Sequence, residues 1–552
     1  MFSVPDCSSR LRFVLPGVEP PAGGAEGVGN KAWNLMRLAA AGLRVPPAFV
    51  LSTAWCRRGV SADDPELRRT LSEGIARLET VCGLGFGSAR RPLLVSVRSG
   101  AAVSMPGMLE TVLNVGLTPA SLDGLIRLTG NPRLAWDSYR RLVQNYAEIV
   151  AGLPAAPFEA LLAGALDDIA NERELDFRAL RAVTQGMLQR YAELAGAPFP
   201  ADPMAQLAQA VAAVFRSWDA PKAATYRRLK GLSDAIGTAV IVQAMVFGNA
   251  GGRSGAGVAF TRDPANGAPG LYFDFCSNGQ GEDVVAGRRT VSDSRRLEHV
   301  LPAVFAELQA VRAKLEAEFC EVQDFEFTVQ DSRLYLLQTR TAQRTPWAAL
   351  RTAVDMVQEG LITSEEALRR LAEVDLTTIT RSRFAEPLPE PLAHAIVAGH
   401  GVANGAIAFD AASVQRLTAA GQSAILVRPG TVTSDIAGMA EVTGILTAAG
   451  SRTSHAAVVA RQLGKVCLVG CRQLVIDLDR RVCRIGTQKI AEGDPISLDS
   501  NSGAIYPGLL PMVQERPERE LAVIAGWQES ATHIEANGMR HPTRRAARMR
   551  PD

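Results

Sequence analysis

Thr453, Ser454 and His455 bring two hydroxyls and an imidazole together within one short segment, from Gly444 to Gly464. The segment reads as a short buried strand, a small-residue turn, and a helix opening at Thr453-Ser454. Thr and Ser suit a helix start because their hydroxyls accept hydrogen bonds from N–H groups that have no partner within the helix. Ala456, Ala457, Val459, Ala460 and Leu463 give that helix an apolar face, and Gly464 ends it. His455 therefore falls in the first turn, at the positive end of the helix dipole. There the ring tends to stay neutral and nucleophilic, and a phosphate carried on it is stabilised. A histidine that only helps to start a helix has the same local pattern.

Other residues suited to phosphate chemistry lie far upstream. Lys31 follows Gly27-Val28-Gly29 at the start of a helix that runs to about Ala41 and is closed by Gly42. Arg98 sits at the end of the apolar strand Leu93 to Arg98, before Ser99-Gly100-Ala101, where small residues permit close approach of a ligand to its fork of donors. Gln243 lies on the strand that begins at Gly237. A glycine-rich turn from Gly251 to Gly257 follows, then a returning strand, and then a strand carrying Asp274. Bare backbone N–H groups in such a turn can close over phosphates, although a hairpin-rich sheet without a ligand looks alike.

Farther on, strict alternation from Gln323 to Val329 predicts a strand with Gln323, Phe325, Phe327 and Val329 on one face. Asp324, Glu326 and Thr328 share the other face. A turn at Asp331-Ser332 leads into a second strand bearing Gln338 and Arg340. Carboxylates near a triphosphate suit Mg²⁺, which prefers oxygen ligands, but a solvated strand face would carry them too.

The stretch Gly-Ile-Leu-Thr-Ala with Thr-Ser-His-Ala-Ala-Val-Val-Ala-Arg and Gly-Lys-Val-Cys-Leu-Val-Gly-Cys, over 444–471, closely resembles the phosphohistidine domain of the pyruvate phosphate dikinase and phosphoenolpyruvate synthase family. Gly450-Ser451-Arg452 departs from the usual Gly-Gly-Met of the dikinases. The Lys31, Arg98 and 237–290 blocks and the strand pair at 323–340 occur in the order of that family's ATP-grasp half. The resemblance implies that His455 carries the phosphoryl group and that Lys31, Arg98, Gln243, Glu326, Gln338 and Arg340 bind nucleotide. It also implies Mg²⁺ held by Glu326, Gln338 and Asp274, the last standing where the family has Glu. Thr453 matches the threonine on which a regulatory kinase–phosphorylase acts in dikinases.

The expected fold is multidomain, α/β and α+β. An ATP-grasp module over 1–340 carries a helical insertion at about 115–225. Helices and a Pro-rich hinge at 341–391 lead to a swivelling phosphohistidine α/β domain at 392–508, followed by a helix and a basic disordered tail at 509–552. The 44 residues after Gly508 are too few for the barrel that binds pyruvate or phosphoenolpyruvate in full dikinases. The expected activity is ATP-dependent phosphorylation of His455 with release of AMP. The γ-phosphoryl group passes to inorganic phosphate or water, of which the resemblance favours phosphate, and pyruvate is reached through a separate barrel protein. Another small-molecule or protein acceptor, and a regulatory protein that binds ATP without turnover, stay open as alternatives.

Composition fits such an enzyme. The 552 residues exceed one ordinary domain, and 47% hydrophobic content can fill several cores. A formal charge of +2 argues against a general nucleic-acid role. Eight cysteines without paired metal spacing read as reduced thiols of a cytoplasmic protein. No apolar run reaches membrane-spanning length, and the N-terminus lacks the pattern of a secretory signal.

Overall fold

A computed structural model describes residues 11–21, 24–103, 105, 109–166, 172–229, 231–281, 294–430, 436–450, 460 and 463–538. His455 and Thr453 lie outside the described residues, as does most of the helix expected after them.

The first sheet contains β1 (Leu11–Val14), β2 (Ala48–Leu51), β3 (Val95–Ala101), β4 (Thr111–Val115) and β5 (Thr238–Ala244), in the order β1-β2-β5-β3-β4. Its strands pair antiparallel. Phe49, Leu51, Val95, Val97, Val240 and Val242 pack on one face, against helices Pro65–Cys82, Pro132–Asn145 and Pro203–Arg216. The stretch expected to be helical carries Pro119–Thr129, Pro132–Asn145, Ala156–Gly164, Phe177–Ala195 and Pro203–Arg216.

Helix α1 (Gly29–Ala40) lies on the opposite face of that sheet. It buries Ala32, Leu35, Met36, Leu38 and Ala39, so its apolar positions recur at the helical spacing that covers one side. The core it joins also includes Phe273, Phe275, Phe325 and Phe327 of the second sheet. One helix thereby fastens two sheets together.

The second sheet contains β6 (Gly255–Arg262), β7 (Pro269–Ser277), β8 (Gln323–Gln330) and β9 (Arg333–Thr341), in the order β9-β8-β6-β7. Strands β8 and β9 form a hairpin closed by Asp331 and Ser332, whose φ angles are 49° and 64°. Two positive φ values in a two-residue loop match the right-handed twist of the flanking strands. Phe325, Phe327 and Val329 face the core, as alternation requires. Phe275 and Phe327 stack with centroids 6.1 Å apart. Gly257 lies between the strands that carry them, and a Cβ there would meet Phe327 Cζ at 2.3 Å. A glycine inside a strand here makes room for the ring.

Helix α2 (Pro302–Phe319) packs behind this sheet through Val304, Leu308, Val311 and Leu315. Beyond it, α3 (Pro346–Gln358) and α4 (Ser364–Leu371) form a small apolar unit around Leu350, Val354, Ala367 and Leu371. Strand β10 (Arg381–Phe384) then leaves this unit.

The third sheet has eight strands: β11 (Ala393–His394), β12 (Ile396–Val397), β13 (Val402–Ala408), β14 (Ala424–Arg428), β15 (Gly444–Thr447), β16 (Val466–Val469), β17 (Pro495–Asp499) and β18 (Ala504–Pro507). Its order is β11-β18-β17-β13-β14-β15-β16-β12. The four strands from β13 to β16 run parallel, with helix Ala411–Ala419 crossing between the first two. Parallel strands covered on both faces read as continuous apolar runs, and β14, β15 and β16 do so. The short buried strand expected at Gly444 is β15, and Gly464 takes a φ of 64°.

The chain leaves this sheet through β19 (Met512–Glu515), which pairs antiparallel with β10. It ends in α5 (Glu518–Gly538), which packs Ile524 on α3 and α4. The strands entering and leaving the third sheet are thus hydrogen-bonded to each other. The architecture is a mixed α/β multidomain one, as expected. Among the described residues no helix is long and apolar enough to cross a membrane.

Candidate active site

Helix α1 can reach the edge of β3 because two glycines allow it. Gly29 has a φ of 78°, and a Cβ on it would lie 1.9 Å from the carbonyl oxygen of Gly100. Only a residue without a side chain tolerates both that conformation and that approach. Lys31 consequently starts one turn from β3, with its Cβ 3.7 Å from the position a Cβ would occupy on Gly100. Asn30 also donates to the carbonyl of Ala102, and Asn34 donates to the carbonyl of Thr339 at 2.9 Å. These bonds hold α1 between β3 and β9.

Arg98, Glu326, Lys31 and Arg340 form one electrostatic cluster there. Arg98 Nη2 donates to Glu326 Oε2 at 3.2 Å. Burial pushes the Lys31 ammonium down to about 7, and the neighbouring positive charges of Arg98 and Arg340 push it the same way, against the opposing pull of Glu326. Burial alone would raise the Glu326 carboxyl. Arg98, Lys31 and Arg340 outweigh that effect and hold it below its ordinary value. Three cationic groups converge on one carboxylate, so positive charge is in excess and a polyanion would relieve the repulsion among them.

The hairpin sets the register of the remaining groups. Glu326 stands directly opposite Gln338, and Asp324 directly opposite Arg340. Opposed residues share a face, so all four side chains project from the same side of the sheet. Arg340 donates to Asp324 Oδ2 through Nε at 2.8 Å and lies 2.6 Å from it at Nη2. The same row continues across the sheet, since Glu326 pairs with Val258 and Val258 with Asp274. Asp274 is therefore two strands from Glu326, a backbone separation of about 10 Å.

The sequence-derived residues fall into three groups. Lys31, Arg98, Glu326, Gln338 and Arg340 come together. Asp274 shares their row, with Val258 between it and Glu326. Gln243 lies on the same face of the first sheet as Arg98, two pairs further along, with its amide donating to the carbonyl of Pro46 at 3.1 Å. Asp324 belongs to the arrangement as the partner of Arg340. Its alternation with Glu326 put it on the right face, and only the cross-strand register gave it a partner.

The donor set suits Mg²⁺ rather than a softer ion. Glu326 and the Gln338 amide oxygen are hard ligands on adjacent strands, and Mg²⁺ characteristically takes one or two carboxylates plus phosphate oxygens. Among the described residues no three His, Cys, Asp or Glu side chains gather as a metal-binding group. Phosphate oxygens would have to complete such a coordination sphere. In the third sheet β15 ends at Thr447, and the next residues hydrogen-bond along the end of β14, with Ala448 N bonded to Arg428 O at 3.0 Å. The segment carrying His455 thus begins at the C-terminal edge of parallel strands, the edge where ligands bind in open α/β sheets.

Two family models match separate stretches of the chain. Residues 62–304 match the family model described as pyruvate phosphate dikinase, AMP/ATP-binding domain. Residues 420–503 match the PEP-utilising enzyme, mobile domain. The chain is 41% identical to pyruvate, phosphate dikinase of Clostridium symbiosum, over 87% of this chain and 56% of that protein. It is 40% identical to the enzyme of Rhizobium meliloti (strain 1021), over 93% of this chain and 60% of that one. The corresponding values for pyruvate, phosphate dikinase 2 of Zea mays are 40%, 92% and 58%. The chain spans between half and two thirds of the length of these relatives. The matches take in the mobile domain and nearly all of this chain.

Proposed function

We propose that the chain is an ATP-dependent dikinase that transfers the β-phosphoryl group of ATP to His455. The single observation that carries this reading is the Lys31–Arg98–Arg340 cluster around Glu326, which has the charge and the small-residue access that a triphosphate requires. The names of the relatives support the same activity, and an ATP-grasp arrangement of the first two sheets is part of the reading.

In this mechanism neutral imidazole attacks the β-phosphorus, the bond from that phosphorus to the oxygen of AMP breaks, and AMP leaves. The γ-phosphoryl group passes to inorganic phosphate, which leaves as pyrophosphate, and one phosphoryl group stays on the ring. Lys31, Arg98 and Arg340 bind and orient the phosphates and neutralise the charge that develops on them. Glu326, Gln338 and Asp274 would hold Mg²⁺, which would supply further neutralisation of phosphate charge. Asp324 keeps the Arg340 guanidinium aimed. The β10–β19 ribbon is the hinge by which the carrier unit, 392–508, leaves the nucleotide and reaches an acceptor. Pyruvate on a barrel carried by a separate polypeptide is the proposed acceptor, and Thr453 is the proposed site of control by a kinase–phosphorylase.

The test is incubation with β-³²P-ATP, Mg²⁺ and phosphate. His455 should acquire acid-labile, base-stable label, and His455→Asn should abolish it while leaving the fold intact, because Asn lacks a nucleophilic nitrogen. Equal labelling of the variant would refute the assignment of the carrier. Adding pyruvate and the barrel protein should then discharge the label as phosphoenolpyruvate.

A further inference from the structure

Arg262 ends β6 and is wholly buried, yet it contacts neither the phosphate-binding cluster nor solvent. Its guanidinium joins two helices. Nε and Nη2 each donate to the Glu316 carboxylate of α2 at 3.0 Å. Nη1 donates to Glu359, just past the end of α3, at 3.1 Å, and Nη2 donates to the other oxygen of that carboxylate at 2.5 Å. Asp355 of α3 stands 3.9 Å away. Two forked pairs on one guanidinium fix direction as well as distance, which a single point contact would not do.

The loop that follows Arg262 grips the same helix. Thr345, the N-cap of α3, donates its N–H to Pro264 O at 3.1 Å and its hydroxyl to Ala265 O at 2.5 Å. Gly267 is pressed so closely to α3 that a Cβ would meet Ala348 O at 3.0 Å and Thr352 Oγ1 at 3.2 Å. Farther along, Arg344 and Arg370 both pair with Glu321, at 2.6 and 3.2 Å. The helical unit is thus fastened to the nucleotide-binding sheet along its length. Contacts from the carrier unit back toward these parts are of a different kind. Apart from the β10–β19 ribbon they include single bonds such as Asn501 Nδ2 to Ser382 O at 3.2 Å and Tyr272 OH to Val397 O at 3.3 Å.

We propose that Arg262 is a positioning residue: by clamping Glu316 and Glu359 it makes α3 one body with the nucleotide-binding sheet, so that the carrier unit turns about the β10–β19 ribbon and returns in register to the bound phosphates. This rests on the dikinase reading. Strand β6 holds Val258 in the Glu326 row and Arg262 four residues on, so the base of the hinge is referenced to the phosphate site through one strand. Misplacing a transferring group by about 1 Å costs on the order of a hundredfold in rate, which is why a rigid base matters.

Because Arg262 is buried, the half-exposed partner is the better first target. Glu359→Ala should raise amide hydrogen exchange across 346–358 by about tenfold or more while 238–244 and 323–330 stay unchanged. The Kd for MgATP should change less than about twofold, and single-turnover labelling of His455 should fall by about tenfold or more. Glu359→Gln, which keeps a hydrogen-bond acceptor for the guanidinium, should recover most of the rate. Unchanged exchange in 346–358, or nucleotide affinity and labelling falling together, would overturn the clamp. Absence of label in the wild-type protein would instead refute the dikinase reading, since the exchange measurement needs no activity.

Discussion

Arg98 and Glu326, 228 residues apart in the chain, meet at 3.2 Å across the two sheets that α1 fastens together. The contact brings the middle of β3, where the sequence suggests a strand end, to the functional row of the second sheet. Arg340 is paired with Asp324, so Lys31, Arg98 and Arg340 share the two carboxylates of Glu326 and Asp324.

The first expectation follows from that contact. Arg98→Met should cut the rate of His455 labelling by about a hundredfold, because it removes a donor aimed where phosphate charge develops. Glu326→Ala should have an effect of similar size by removing the carboxylate proposed to hold Mg²⁺, and raising Mg²⁺ should partly recover that variant but not Arg98→Met. Labelling time courses at several Mg²⁺ concentrations check both. Equal recovery of the two variants would contradict the assigned roles.

Lys31 should make MgATP binding depend on pH. Its ammonium loses its proton at about 7 in the free protein, and a bound triphosphate favours the charged form. Affinity should be flat below pH 7. Above it, binding must take up a proton, so affinity should fall by up to about tenfold per pH unit until the raised pKa of the complex is passed. The apo-protein runs the opposite way: between pH 7 and the ordinary lysine value of 10.5 the unfolded chain holds the proton that folded Lys31 has lost, so this group makes stability rise with pH. Calorimetry in buffers of different ionisation heat would detect the uptake, and Lys31→Met should abolish it.

Gly29 should not tolerate a side chain. Gly29→Ala combines a positive φ with an overlap at the Gly100 carbonyl, so it should destabilise the nucleotide-binding unit by at least about 2 kcal/mol. It should also weaken ATP binding, since relieving the overlap moves α1 and Lys31 away from β3. Gly42→Ala is the control. Gly42 shares a positive φ but has nothing within 4 Å of its would-be Cβ, so it should lose stability without losing nucleotide affinity. Denaturant titration and equilibrium ATP binding separate the two.

Thr453→Glu should depress labelling, because a negative charge beside His455 repels the incoming phosphates. Thr453→Val should stay partly active, since it places no charge beside His455. Comparing single-turnover rates of the two variants tests the charge argument, and a Glu variant as fast as wild type would defeat it.

Local rules in the sequence were enough to determine the helix that bears Lys31 and the hairpin that bears Asp324, Glu326, Gln338 and Arg340. Alternation from Gln323 to Val329 put Glu326 and Asp324 on the face away from Phe325 and Phe327. Asp331-Ser332 marked the turn, and Gly42 marked the end of α1. Such signals are legible because strand and helix periods and left-handed turn positions depend only on neighbours along the chain. The role of His455 came instead from family resemblance, since its helix pattern alone fits a simple cap as well. What the tertiary structure decided is which of these elements meet. Nothing in the spacing of residues 98 and 326 forces their ion pair, and nothing in the local pattern shows that Val258 separates Asp274 from Glu326. The same holds for Gln243, whose amide bonds to Pro46, and for Arg262, whose run Phe-Thr-Arg-Asp-Pro looks like any strand end. Strand order, cross-strand register and the packing of α1 between two sheets fix these relations, and they arise from long-range burial that no local period encodes.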